Sequence, residues 1–234
     1  MNEGKNGNII LTEDLTKTYS DEGVPVLAVR GVDLAIRSGE FAAIVGPSGS
    51  GKTTFLNIIS GLDKATEGKV WLRGQLLSEM NARELSDFRR DNIGFIFQAY
   101  NLIPVLTVEE NIEYIMLLQG VPKKERHERV MKILKDVGLE GFERRRPLQL
   151  SGGQQQRVAI ARAMVSQPAL ILADEPTANL DSKTGGALVD MMRELNEKTG
   201  MTFIFSTHDH TVMRKARRLI SLRDGQVASD EVRD

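Results

Sequence analysis

Apolar residues gather in short unbroken runs at Phe41–Val45 and at 93–97, 169–173, 202–207 and 219–222. Runs of this length, bounded by polar or glycine residues, read as buried strands. Between them the apolar period changes to that of helices. Residues 54–59 follow the first run as a helix that stops at Gly61-Leu62-Asp63, and 82–90 reads as a short charged helix. Thr107 and Glu110 form a capping box ahead of Ile112, Ile115, Met116 and Leu118. Pro122 opens a helix with Val130, Ile133, Leu134 and Val137 on one face. Ser151 is placed to cap a helix over 154–165, with Val158, Ile160, Ala161 and Met164 inward, and another helix spans 182–198.

The region before residue 45 is β-rich. Short strands are expected at 9–11, 26–29 and 32–36, with turns at 21–23 and 37–40. A further strand is expected at 69–73, where Trp71 reads as packing, and a hairpin at 219–227 turning through Arg223-Asp224-Gly225. Alternating strands and helices make an α/β core. Residues 99–165 read as a helical subdomain inserted into it, the whole chain 1–234 forming one domain.

Composition narrows the setting. The chain has 234 residues, net charge −1 and no cysteine. Disulfides and thiolate metal sites are excluded, and there is no overall bias toward nucleic acid. The first eight residues lack the apolar core of a signal peptide, and no apolar run approaches the ~18 residues of a membrane span. A soluble, intracellular chain is expected, reaching any membrane through another subunit.

Between the first buried strand and its helix lies Gly46-Pro47-Ser48-Gly49-Ser50-Gly51-Lys52-Thr53-Thr54, which fits G-x-x-x-x-G-K-[ST] in the strand–loop–helix setting the motif requires. Glycines let backbone N–H groups approach phosphate oxygens, and the helix N-terminus adds unpaired donors. Lys52 supplies a cation for the β/γ-phosphates and Thr53 a hydroxyl ligand for Mg²⁺. The run 169–173 ends in Asp174-Glu175. Two adjacent carboxylates at a buried strand end are costly unless a cation or hydrogen bonds receive them. Mg²⁺ held partly by Asp174 answers that cost, and Glu175 stands where an attacking water could be polarised.

Other positions admit two readings from residues alone. Tyr19 is an adenine-stacking ring or a half-buried strand tyrosine. Gln98, at a strand's C-terminal end, is an active-site ligand or a loop residue. Ser151-Gly152-Gly153 is a second anion site or an ordinary helix start, and His208 a phosphate partner or a structural histidine. The charged runs 123–129 and 144–146 read as solvated surface.

Taken in order, these pieces resemble the ATP-binding subunit of ABC transporters over essentially the whole chain. Gly46 to Thr54 matches Walker A, Gln98 the Q-loop, and Leu150 to Gln154 the LSGGQ signature. Leu170 to Glu175 matches Walker B, Asn179 to Asp181 the D-loop, His208 the switch histidine and Tyr19 the stacking aromatic. The resemblance implies a P-loop NTPase core of the ABC ATPase type, a mixed sheet flanked by helices with an N-terminal antiparallel subdomain. It implies ATP and Mg²⁺ as ligands, with Thr53, Gln98 and Asp174 positioning the metal, Glu175 activating water and His208 bonding the γ-phosphate. It implies a head-to-tail dimer in which Ser151, Gly152, Gly153, Gln154 and Asp181 of one copy approach nucleotide held by the other. It also implies an integral membrane permease as partner, with the chain peripheral on the cytoplasmic face, and a permease contact at Tyr100, Leu102, Ile103 and Leu106. Residues 92–104 and 172–177 are most like the lipoprotein-release and macrolide-export group, although Ala178 stands where many of that group have glycine. A cell-division or cell-envelope ATPase that regulates a membrane protein is the alternative. A nucleic-acid-linked ABC ATPase fits poorly with one cassette and near-neutral charge, and Asn196-Glu197-Lys198-Thr199 lacks the N-K-x-D order of small GTPases.

Overall fold

The structure, a computed structural model, describes residues 7–20 and 23–233. The expected turn residues Asp21 and Glu22 and the first six residues lie outside the described residues. Among the described residues, ten strands form two sheets. The first is antiparallel, in the order β2 (Val26–Arg37), β1 (Asn8–Tyr19), β4 (Glu67–Leu72), β5 (Gln75–Leu76). The second runs β10 (Gln226–Val232), β9 (Arg218–Arg223), β3 (Phe41–Val45), β8 (Thr202–Thr207), β7 (Leu170–Asp174), β6 (Ile93–Ile96). All its neighbours are parallel except the β9–β10 hairpin. This is the α/β core that the residue pattern predicts, with the antiparallel N-terminal sheet that the resemblance implies.

The unbroken apolar strands are explained by what covers them. Phe41, Ala43 and Val45 of β3, Ile171 and Ala173 of β7, and Phe203 and Phe205 of β8 enter one apolar cluster. Ile44, Leu170, Leu172 and Ile204, the alternate residues, enter the other. The first cluster continues into α3 (Val108–Leu118), α4 (Lys123–Asp136), α5 (Gly152–Met164), α6 (Ser182–Thr199) and α7 (His210–Lys215). The second joins α1 (Lys52–Ile59), α2 (Ala82–Asn92) and the antiparallel sheet. A strand with helices on one face and another sheet on the other has no polar face to show.

Three expected N-terminal strands are in fact two long ones. Register shifts along β1–β2 and left-handed residues Asp14 (φ 47) and Gly31 (φ 58) bend the pair without ending it. These bulges interrupt the alternation, which is why the pattern breaks into fragments. The helix expected at 154–165 begins at Gly152, so the two glycines belong to its first turn rather than preceding it. Ser151 caps it in a full box with Gln154, as Thr107 does with Glu110 for α3. Among the described residues, no helix is long and apolar enough to cross a membrane.

Candidate functional site

The loop between β3 and α1 is shaped by close approach of other backbone. A Cβ on Gly46 (φ 154) would lie 2.2 Å from the Leu222 carbonyl oxygen, and one on Gly51 (φ 99) would lie 2.4 Å from that of Ala28. Only glycine serves at either position. No side chain caps the N-terminus of α1, so its first N–H groups remain available. Lys52 is buried, and its ammonium donates to the carbonyls of Gly46 (2.8 Å) and Pro47 (3.0 Å). The Ser50 hydroxyl is buried beside it without a hydrogen-bond partner among the described residues. Unpaired donors, a cation and an orphaned hydroxyl around one loop fit a phosphate chain.

Across the loop, β7 ends at Asp174, level with Ser206 of β8. Burial pushes the Asp174 carboxyl up, and the charge of Glu175 adds to this, against the Ser206 hydroxyl and the Lys52 ammonium. A carboxylate in that position gains from a cation. Asp174, Thr53 and Gln98 each carry the side-chain oxygen that would suit Mg²⁺, which takes few protein ligands when phosphates supply the rest. Among the described residues no three His, Cys, Asp or Glu side chains gather as a metal cage.

Glu175 adopts φ 46, a strained conformation for a non-glycine residue. Its N–H donates to Ser206 O (2.9 Å), and its carboxylate accepts from the Thr207 hydroxyl (3.0 Å). Nδ1 of His208 lies 2.7 Å from the other carboxylate oxygen, while the imidazole itself is largely exposed. Gln98 follows β6, and Asn179 donates to its carbonyl (2.8 Å). The next turn is held in two successive left-handed residues, Tyr100 (φ 57) and Asn101 (φ 49). Arg162 of α5 donates to both their carbonyls, at 2.8 Å for Tyr100, and burial lowers the pKa of its guanidinium.

These elements enclose a cavity of about 800 Å³. Of the residues predicted from sequence, Pro47, Ser48, Gly49, Ser50, Gly51, Lys52, Thr53, Thr54, Gln98, Glu175 and His208 line it. Asp174 stands close enough to Lys52 to feel its charge. Among the described residues its lining does not include Tyr19, Ser151, Gly152, Gly153, Gln154 or Asp181. Asp181 caps α6 through the N–H groups of Lys183 and Thr184, and Thr184 donates its hydroxyl as well, which holds the carboxyl low. It shares a smaller cavity of about 320 Å³ with Glu175 and His208.

Tyr19 pairs with Val26 across β1–β2. Its hydroxyl donates to Asp63 (2.8 Å), Lys17 lies 4.7 Å over its ring, and Lys17 and Asp63 are themselves paired at 2.7 Å. Burial and the Asp63 carboxylate raise the Tyr19 pKa. The ring is therefore fixed with part of its surface exposed. Sequence reasoning missed Val26, Leu27, Ala28 and Arg30 on the cavity wall, and Asp224 and Gly225 of the β9–β10 turn. Only the β1–β2 register and the β9–β10 turn bring them there, and no local pattern marks them.

The profile described as ABC transporter matches residues 29–178. The uncharacterized ABC transporter ATP-binding protein MJ0796 of Methanocaldococcus jannaschii is 47% identical over 227 residues, covering 95% of this chain and 97% of its own length. The macrolide export ATP-binding/permease protein MacB of Brucella melitensis is 46% identical over 222 residues, and the match spans 95% of this chain but 34% of that longer protein. A solved dimeric structure of MJ0796, in a post-hydrolysis state bound to ADP and Pi, superposes with a TM-score of 0.86 at 46% identity, over 95% of this chain and 98% of that one. A phosphate-loop site on this fold, matched at these identities along nearly the whole chain, places the protein in the ABC transporter family as an ATP-binding cassette and an ATPase.

Proposed function

We propose that this chain is the ATP-hydrolysing subunit of a membrane permease of the macrolide-export or lipoprotein-release type, working as a homodimer that closes on ATP. One observation carries the dimer: the signature residues Ser151 to Gln154 lie off the cavity that holds Lys52, Thr53 and Glu175. A second copy, turned head to tail, would bring its signature and its Asp181 to that cavity. The relative MJ0796 has a dimeric structure, and MacB is named as joining ATP-binding and permease parts in one protein.

In this reading Lys52 and the uncapped N–H groups of α1 bind the β- and γ-phosphates, and Tyr19 packs against the adenine. Thr53, Gln98 and Asp174 would hold Mg²⁺, which supplies charge neutralisation at the phosphates. Glu175 draws a proton from the attacking water, and the Thr207 and His208 contacts aim its carboxylate. With Nδ1 of His208 on Glu175, Nε2 is left for the γ-phosphate. Positioning and fixed charge do most of the work in such a transfer. Loss of the γ-phosphate removes the differential binding that keeps two copies together.

Residues 99–165 would act as the helical unit that carries the signature. The segment after Gln98, with Tyr100, Leu102, Ile103 and Leu106, would meet the permease on the cytoplasmic face of the membrane. Ile103 is exposed there, and so is Val105 beside it. Steady-state hydrolysis and calorimetry test the core of this reading. Glu175→Gln is expected to lose nearly all turnover while binding ATP as the wild type does. Wild-type turnover in that variant removes Glu175 from the base role.

A further inference from the structure

Thr177 is buried two residues after Glu175, and its hydroxyl donates to Oδ2 of Asp209 at 2.6 Å. Asp209 follows His208 and caps α7, with Oδ1 accepting from the Thr211 N–H at 2.7 Å. Its own N–H donates to Oγ1 of Thr207 at 2.9 Å. A threonine hydroxyl has one proton to give. With the Asp209 N–H on its lone pair, that proton is turned to Oε2 of Glu175, 3.0 Å away. Nδ1 of His208 is 2.7 Å from Oε1.

These contacts close a ring. It runs from Glu175 along the chain to Thr177, across to Asp209, and back through Thr207 and His208 to both oxygens of Glu175. Burial works against the charge of Asp209, yet the Thr177 hydroxyl, the Thr211 contacts and His208 hold its carboxyl below the ordinary range. Asp209 therefore stands in the ring as a carboxylate acceptor for the Thr177 hydroxyl. Its backbone strand passes through Glu175 at φ 46. A non-glycine residue stays in that conformation only where its surroundings over-determine it. Gly185 of α6 lies beside Thr177, where a Cβ would come to 3.4 Å of it.

We propose that Thr177 and Asp209 are a positioning pair for hydrolysis: neither touches the reacting atoms, and together they fix the Glu175 carboxylate and the His208 imidazole in place. The proposal rests on the reading of Glu175 as the base. Its test is steady-state ATPase kinetics of the full chain, with ATP affinity measured by calorimetry. Thr177→Val keeps the shape and removes the hydroxyl. It is expected to lower kcat about tenfold to a hundredfold, the cost of a misplaced catalytic group, with KM and ATP affinity within about twofold of wild type. Thr177→Ser restores the donor and is expected to recover most of kcat. Asp209→Asn, which still caps α7, is expected to fall in kcat like Thr177→Val, and it serves if the valine variant does not fold. Wild-type kcat in Thr177→Val or Asp209→Asn overturns the pair. Failure of Thr177→Ser to recover activity assigns Thr177 to packing alone and overturns it equally. Loss of activity in Glu175→Gln alongside an unaffected Thr177→Val leaves the base reading standing and sinks only the positioning pair.

Discussion

Two helices in this chain begin in glycine-rich sequence, and they begin in different ways. The N-terminus of α1 has no side-chain cap, carries the buried Lys52, and opens on the 800 Å³ cavity with Glu175 and His208. The N-terminus of α5 is capped by its own residues, with Ser151 accepting from the Gln154 N–H and Gln154 accepting from the Ser151 N–H. Its glycines also differ in kind. Gly51 is glycine because a carbonyl of another strand passes where a Cβ would be. Gly152 and Gly153 are glycine because the Tyr100 hydroxyl and the Thr184 methyl come within 3.0 and 2.8 Å of a Cβ position. One end opens its uncapped N–H groups and Lys52 on a cavity within one chain. The other is a capped helix start away from that cavity, and in the proposed function its outward face would meet nucleotide only in a second copy.

The largest break in this comparison is expected at Lys52. Lys52→Ala should weaken ATP binding about a hundredfold, since a charge-assisted contact to phosphate is lost, and calorimetry reads it directly. Ser151→Asn should leave that affinity unchanged, because the change lies off the cavity. Asparagine caps as well as serine, so the melting temperature should hold. Hydrolysis should nevertheless fall about tenfold or more if the bulkier side chain keeps the second copy away. Loss of ATP affinity in the isolated Ser151→Asn chain would erase the distinction between the two ends.

The glycines sharpen it by stability. Gly51→Ala forces a Cβ against fixed backbone at positive φ and should cost about 2–3 kcal/mol in urea unfolding. Gly153→Ala meets only the end of a threonine and should cost about 1 kcal/mol. The smallest effect is expected at Asp63, beside Tyr19. Burial opposes the charge of Asp63, but Lys17 and Tyr19 hold its carboxyl below the ordinary carboxylate range. A carboxyl depressed by folding stabilises above its unfolded pKa, and that contribution is lost as pH falls through the folded value. Asp63→Asn should therefore cost about 0.5–1 kcal/mol at neutral pH, with the difference from wild type closing in acid below about pH 4.

Much of this molecule is legible in its sequence where the constraint is local. Strands covered on both faces must be apolar throughout, so β3, β6, β7 and β8 stand out. Capping boxes at Thr107 and Ser151 involve residues three apart. The glycine loop and Asp174-Glu175 announce themselves because phosphate chemistry needs those residues together. What stays hidden depends on distant pairing. The Tyr19–Asp63 contact spans 44 positions and the Arg162 grip on Tyr100 spans 62. The bulges of β1–β2 scramble an alternation that only the register makes whole. Val26, Leu27 and Arg30 reach the cavity by that register, and nothing in their own neighbourhood marks them as site residues.

The claim that a second copy completes the site is tested most directly by light scattering on Glu175→Gln. The chain weighs 26.0 kDa. With saturating ATP and Mg²⁺ the account predicts a particle of twice that mass, returning to one chain when nucleotide is removed or when Ser151→Asn is added to the same polypeptide. A particle of single mass under saturating nucleotide, in a variant that binds ATP with wild-type affinity and cannot cleave it, contradicts the account.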